Sequence, residues 1–303
     1  MRTATIIIDE PIIEVIAEMK LVHNGVLAMA EWVKKYRPDC VPEGGIYRVE
    51  DLLPHSRWEE WPDGRKIATD AGEENEFRSP SDNEILCELA GRKCYDSFAE
   101  KGAKRTNAEY LASMWTGRGV PHRSTGYHAK MSFFFAHVSR RVSHELIRNY
   151  VGSDRDEEGS PSQESTRFTE HPGVYICHPR DLKPRMDGLG VHAPWGIEQF
   201  RREAQDNYDH YLSYIREAVA VFLYDHKTEP NGMDRKRIYE AASGRLLQSC
   251  ATSFIWTTNP MALMKFFGER CDEAADLEMQ RFANMLKRAC LNRWPNLFPG
   301  VKA

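Results

Sequence analysis

No stretch of this 303-residue sequence approaches the roughly 20 apolar residues of a membrane-spanning helix, so no membrane segment is expected. The first apolar run, Ile6 to Ile8, is broken at once by Asp9 and Glu10, unlike a secretory leader. An excess of positive charge is also lacking. Lys and Arg number 41 against 45 Asp and Glu, so no general basic surface exists to hold nucleic acid or an acidic membrane. Closely paired cysteines are missing. The seven, at positions 40, 87, 94, 177, 250, 271 and 290, are odd in number, as expected of free thiols in a reducing, cytoplasmic setting. The chain has no Gly-rich dinucleotide fingerprint and no P-loop; Gly117-Arg118-Gly119 lacks both the preceding strand and the later glycine. A bound flavin or nucleotide therefore needs another mode of recognition. His137 and His144 have no third ligand at recognisable spacing, so no metal is expected.

What is present reads as one globular domain over residues 1–303, with an N-terminal extension and insertion over about 1–80. Val15, Met19, Val22, Val26 and Ala30 recur at helical spacing and predict a helix over 11–36. From Pro38 to Pro80 the periodicity is lost. Trp58 and Trp61 suggest a surface insertion packed by its aromatics. Leu86, Leu89, Ala90 and Cys94 mark a helix, with Cys94 as a small buried thiol. Ala108 to Thr116 predicts a short helix capped by Thr106 or Asn107.

Met131 to Phe135 suits a buried strand, and Val138, Val142 and Leu146 form a helical stripe after it. Phe200 to Tyr224 predicts a long amphipathic helix, and Asp234 to Arg237 a helix start with a solvated face. Trp256 is expected in the core. Asn259-Pro260 opens a helix carrying Leu263, Phe266, Phe267, Arg270, Ala274 and Leu277, with Cys271 packing within it. The order of elements predicts an α+β fold, a small antiparallel sheet flanked by long helices.

The segment from Ser139 to Phe168 carries the chemistry. On a helix, Arg141, His144 and Arg148 fall within about 60° of one another. Glu145, three residues before Arg148, is placed to orient its guanidinium. Ser162-Gln163-Glu164-Ser165-Thr166-Arg167-Phe168 then adds hydroxyls and another arginine. Arginine suits bidentate recognition of phosphate, so this set reads as a pocket for a phosphorylated small molecule.

The run Val138-Ser139-Arg140-Arg141-Val142-Ser143-His144-Glu145-Leu146-Ile147-Arg148, with Ser162 to Phe168, resembles the signature of the flavin-dependent thymidylate synthases, the ThyX family. Glu109-Tyr110-Leu111, His122 to His128, and Trp256-Thr257-Thr258-Asn259 through Arg270-Cys271-Asp272 resemble further family segments in the same order. The likeness spans roughly residues 85–290. It implies C5 methylation of dUMP with methylenetetrahydrofolate as carbon donor, FAD as redox carrier and NADPH as reductant. It also implies a homotetramer with sites at subunit interfaces.

By that resemblance, Arg148, Ser165 and Arg167 contact the nucleotide, with Glu145, Gln163, Glu164 and Thr166 beside them. Arg270 sits by the uracil ring and stabilises the enolate that makes C5 nucleophilic; Arg148 and Arg270 are the catalytic candidates. Arg245 matches a further nucleotide-binding arginine across a two-residue gap. Ser124, Tyr127, Arg148, Asn149, Tyr150 and Asn259 fall at flavin-contacting positions.

Several positions depart from the family pattern. Arg148-Asn149-Tyr150 stands where the family has Arg-His-Arg, Glu145 where it has Gln, and Tyr127 where it has a flavin-facing Glu. Ala274 replaces a His. Phe168 replaces a Tyr, and its missing hydroxyl leaves room for a ribose 2′-OH. An acidic insertion, Asp154 to Ser160, lengthens the approach to Ser165. These changes resemble the branch that methylates UMP as well as dUMP in polyoxin-type nucleoside-antibiotic pathways. Three alternatives stay open: a dUMP-only housekeeping enzyme, a non-catalytic nucleotide-binding relative, and a flavin oxidoreductase unrelated to folate.

Overall fold

Ser139 ends a strand and begins a helix, and that junction organises the region around the signature. In the computed structural model, residues 2–41, 49–53, 59–60, 67–68, 74–75, 77–98, 104–117, 121–150, 161–178 and 193–302 are described. Trp58, Trp61 and the acidic insertion 154–160 lie outside them. In chain order the strands are β1 (Thr5–Ile7), β2 (Ile12–Glu18), β3 (Glu59–Glu60), β4 (Ile67–Ala68), β5 (Glu74–Asn75), β6 (Phe77–Arg78), β7 (Met131–Ser139), β8 (Ser162–Gln163), β9 (Val174–Ile176) and β10 (Ala251–Thr258). The helices are α1 (His23–Tyr36), α2 (Val49–Leu52), α3 (Asp82–Tyr95), α4 (Asn107–Trp115), α5 (Arg140–Tyr150), α6 (Ala193–His226), α7 (Gly232–Ser243), α8 (Pro260–Arg270) and α9 (Leu277–Arg293). This is the expected α+β mixture.

The main sheet has the order β2-β7-β10-β8. β10 and β8 are antiparallel, with Phe254 opposite Gln163 and Ile255 opposite Ser162. β1 instead pairs in parallel with β9, Thr5 opposite Val174. Two differences from the sequence reading stand out at helix boundaries. Residues 12–18 are a strand, because Ile12, Ile13, Val15 and Ile16 are β-branched and favour extended backbone. The helix expected through Leu277 stops at Arg270. The Asp276 carboxylate accepts from the backbone N–H groups of Glu278 and Met279 and starts α9 there.

Contacts divide the chain into two compact units. The first comprises Met1–Glu14, Phe133–Trp256 and Arg270–Phe282. Its aromatic centre is Phe135, whose ring lies 4.9 Å from Phe254 and 5.0 Å from Phe282, centroid to centroid. Trp256 is buried beside it, as expected. A second cluster gathers Tyr175, Tyr208, Tyr211 and Cys250 under α6. Each such aromatic, fully buried, contributes about 1.5–3 kcal/mol of transfer free energy.

The second unit comprises Val15–Ser132, Thr257–Glu269 and Ala283–Ala303. Capping boxes start its helices: Ser81 with Glu84 for α3, and Thr106 with Glu109 for α4. Behind them lies a buried polar network. Glu84 pairs with Arg78 and accepts from the Asn296 backbone N–H. Glu88 pairs with Arg92 at 2.7 Å and accepts from Asn107 at 2.8 Å. Ion pairs this deep need every lone pair satisfied, which the two asparagines provide. Cys94, expected inside, is exposed with its neighbours Lys93 and Tyr95 on the last turn of α3. No described helix is long and apolar enough to cross a membrane.

Candidate functional site

The signature helix is fixed at its N-terminus by side chains and backbone alike. Ser139 Oγ accepts from the Val142 N–H and caps α5. The next two N–H groups, of Arg140 and Arg141, donate to the carbonyls of Cys250 and Gln248. Buried Glu278 accepts from Ser139 N–H at 2.9 Å, from Ser139 Oγ at 2.8 Å and from Arg141 at 3.0 Å. Arg141 also pairs with Asp276 at 3.1 Å. Arg141 is thus an anchor that ties α5 to the start of α9.

A cavity of about 430 Å³ opens beside this helix. Arg140, Ser143, His144 and Ile147 line it, one helical face at i, i+3, i+4 and i+7. Gln163 and Thr166 form a second wall, and Ser243, Gly244 and Leu246 to Gln248 a third. Among the described residues its lining includes two arginines, a histidine and several neutral donors, and no carboxylate. Gln163 Nε2 donates to Ser143 Oγ at 2.9 Å and to Thr252 Oγ1 at 3.0 Å, so its amide is held in one orientation. Arg140 donates to the Glu164 carbonyl at 3.3 Å. Such a lining suits an anion with hydrogen-bonding edges.

The expected residues fall into three groups within this unit. Gln163 and Thr166 reach the cavity. Ser165, Arg167 and Phe168 lie on the adjoining turn. The Ser165 carbonyl accepts from the N–H groups of Phe168 and Thr169, and that turn leaves Arg167 and Phe168 exposed. Arg167 pairs with Glu240 at 3.2 Å, and the exposed Glu164 continues the ladder through its N–H to Ser253.

Arg270 and Glu145 form their own ion pair, Nη1 to Oε2 3.0 Å, with side chains 20% and 28% exposed. Glu145 thus holds Arg270, which comes from a segment far along the chain. Arg245 stands outside the cavity lining, its guanidinium 3.7 Å from the Tyr214 ring centroid. The side chains of Arg148, Asn149 and Tyr150 lie outside the described residues. Local spacing carried one signal that the expected 141/144/148 face obscured: Arg140 and Ser143 share the neighbouring face with His144.

The second unit holds Ser124, Tyr127 and Asn259. Ser124 is exposed and Tyr127 half-buried on a short helical turn, Arg123–Tyr127. That turn packs closely on α8: a Cβ added at Gly126 would meet Met261 Cε at 2.6 Å and force that side chain to shift. Asn259 is fully buried, and its Oδ1 caps α8 by accepting from Ala262 N–H at 3.0 Å. Its Nδ2 is buried with no hydrogen-bond partner among the described residues. A buried amide donor left over costs about 1–3 kcal/mol unless a ligand accepts from it. Among the described residues no group of His, Cys, Asp and Glu could hold a metal ion.

Comparison with known proteins matches residues 77–296 to the family model described as Thy1, thymidylate synthase complementing protein. The chain is similar to proteins named flavin-dependent thymidylate synthase. That of Mycobacterium sp. (strain KMS) is 29% identical over 220 residues, 72% of this chain and 78% of the relative. That of Mycobacterium tuberculosis (strain ATCC 25177 / H37Ra) shows the same identity and coverage.

Proposed function

The chain belongs to the Thy1 family and is an enzyme of the flavin-dependent thymidylate synthase type, and we propose that it transfers a one-carbon unit to C5 of the uracil of UMP, dUMP or both. Methylenetetrahydrofolate is the donor and NADPH the reductant; the nucleotide gains one CH₂, leaving tetrahydrofolate and NADP⁺. The observation that carries this reading is the Glu145–Arg270 pair at 3.0 Å. It fixes a guanidinium whose family counterpart lies beside the uracil ring. A preorganised cation there stabilises charge developing on the uracil carbonyl oxygens as C5 becomes nucleophilic. Arg148, Ser165 and Arg167 hold the nucleotide, with Gln163, Glu164 and Thr166 shaping its pocket and Arg245 turning toward it from Tyr214.

The residues fit a flavin. The spare Nδ2 of buried Asn259 and the hydroxyl of exposed Ser124 offer donors to an acceptor-rich ring system, and by the family resemblance Tyr127, Asn149 and Tyr150 stand at further flavin-contacting positions. Bound FAD supplies the reducing equivalents that turn the transferred carbon into a methyl group. The enzyme works as a homotetramer in the cytoplasm, with residues 165–167 serving a neighbouring subunit's site.

Acceptance of UMP rests on Phe168, which lacks the family hydroxyl, and links the enzyme to nucleoside-antibiotic chemistry. Purified enzyme with FAD, NADPH and methylenetetrahydrofolate, given UMP or dUMP and read by mass, tests this. Conversion of dUMP alone would leave the dUMP-only enzyme as the correct reading. Tight binding of both with conversion of neither would establish the non-catalytic one. Nucleotide-independent NADPH oxidation would favour the folate-free oxidoreductase.

A further inference from the structure

The charged start of α7 reads in the sequence as a solvated face, yet one side of it meets the signature turn. Lys236, Glu240 and Ser243 stand at i, i+4 and i+7, within about 60° around the helix axis. Lys236 Nζ lies 5.4 Å from the centroid of the Phe168 ring. Glu240 holds Arg167 at 3.2 Å, and Ser243 lines the cavity together with Thr166. One face of α7 therefore tracks the turn residue by residue.

The ring beneath Lys236 is itself exposed, 64%. A lysine over such a ring gains a modest cation–π attraction and keeps its three N–H donors available. Among the described residues no carboxylate lies within ion-pairing distance of Lys236, whereas Glu240, one turn on, is committed to Arg167. The ammonium thus stands beside a turn of donor-bearing side chains, with no counter-ion among the described residues. A phosphate dianion supplies a counter-charge, and among the described residues Arg140, which lines the cavity with Ser243, has no carboxylate partner either.

We propose that Lys236 is a nucleotide-binding residue whose ammonium, poised over Phe168, donates to the phosphate of the uracil nucleotide. This rests on the reading of Ser165 to Arg167 as nucleotide-binding. The test is the Kd of the full-length native enzyme, K236M and K236R for UMP and dUMP, measured by calorimetry at two salt concentrations. Methionine keeps an aliphatic stem over the ring without the charge. K236M weakens both nucleotides about tenfold or more, as expected for a lost charge-assisted hydrogen bond. It also flattens the salt dependence, while K236R restores most of the affinity. K236Q serves as a second neutral variant should K236M melt early. Native affinity in either folded neutral variant overturns the proposal and leaves the methyltransferase reading standing. Failure of the native enzyme to bind either nucleotide overturns both.

Discussion

Replacing Glu145 by alanine removes a carboxylate that holds Arg270 at 3.0 Å. Exposed ion pairs are worth about 0.2–1 kcal/mol, and breaking a fully buried pair costs about 3–5 kcal/mol. With side chains 20% and 28% exposed, the Glu145–Arg270 pair lies between these limits, so E145A costs about 2 kcal/mol. For a chain of 303 residues that lowers Tm by roughly 3 °C. The catalytic effect is larger. An untethered guanidinium explores rotamers that no longer face the uracil, and misplacement by an ångström costs on the order of 10²-fold in kcat. KM for the nucleotide stays near native or falls, because a positive charge has lost its internal counter-ion. E145Q keeps an oxygen for Arg270 and recovers part of kcat. Steady-state kinetics with a thermal melt on each variant measure both effects. An E145A enzyme with native Tm and native kcat would refute the assignment of Glu145 as the residue that positions Arg270.

Three further outcomes follow from individual contacts. Asn259→Asp keeps an oxygen to cap α8 but replaces the spare Nδ2 donor by a second buried acceptor, so it costs at least about 1–3 kcal/mol of stability and releases flavin, read as lost visible absorbance of the folded variant after gel filtration; a yellow N259D would remove Asn259 from the flavin site. Burial lowers the pKa of His171, whose Nδ1 accepts from Gly173 N–H at 3.1 Å. The unfolded chain then protonates first, so stability is complete above about pH 6.5 and declines as pH falls from there toward the depressed native value. Denaturant melts of H171Q, with a shallower slope over that window than native, check the sign. Glu240→Gln frees Arg167 from an exposed pair worth at most about 1 kcal/mol, so nucleotide Kd tightens by up to about fivefold; a weaker Kd would assign Glu240 to binding instead.

Local signals in the sequence were reliable where a cap or a stripe marks a boundary. Thr106 starts α4 through a capping box, and Asn259-Pro260 starts α8 as its residue types predict. Val142 and Leu146 are buried as their stripe requires. Misreadings arose where two periodicities overlap. Val15, Met19 and Val22 mimic a helical stripe, but the β-branched run through Ile16 makes an edge strand of the main sheet, and α1 begins only at His23.

The site was legible as a list of residues more than as an arrangement. Helical spacing sets Glu145 near Arg148 but gives no hint that tertiary folding brings Glu145 to Arg270 and Arg141 to Glu278. Neither partner lies within reach of local periodicity. The parallel pairing of β1 with β9 is non-local in the same way. Lys236 and Glu240 carried no signal beyond charge, because their role appears only when the Ser165 turn is laid against α7.

The central claim is that this enzyme makes C5 of a uracil nucleotide react. Nucleotide labelled with tritium at C5 tests it most directly, since replacing that hydrogen by a methyl group releases the label to water. The account predicts tritium release from UMP or dUMP that requires methylenetetrahydrofolate and NADPH and is abolished in R270A. Complete retention of the label by both nucleotides, with a folded and flavin-loaded enzyme, would contradict it.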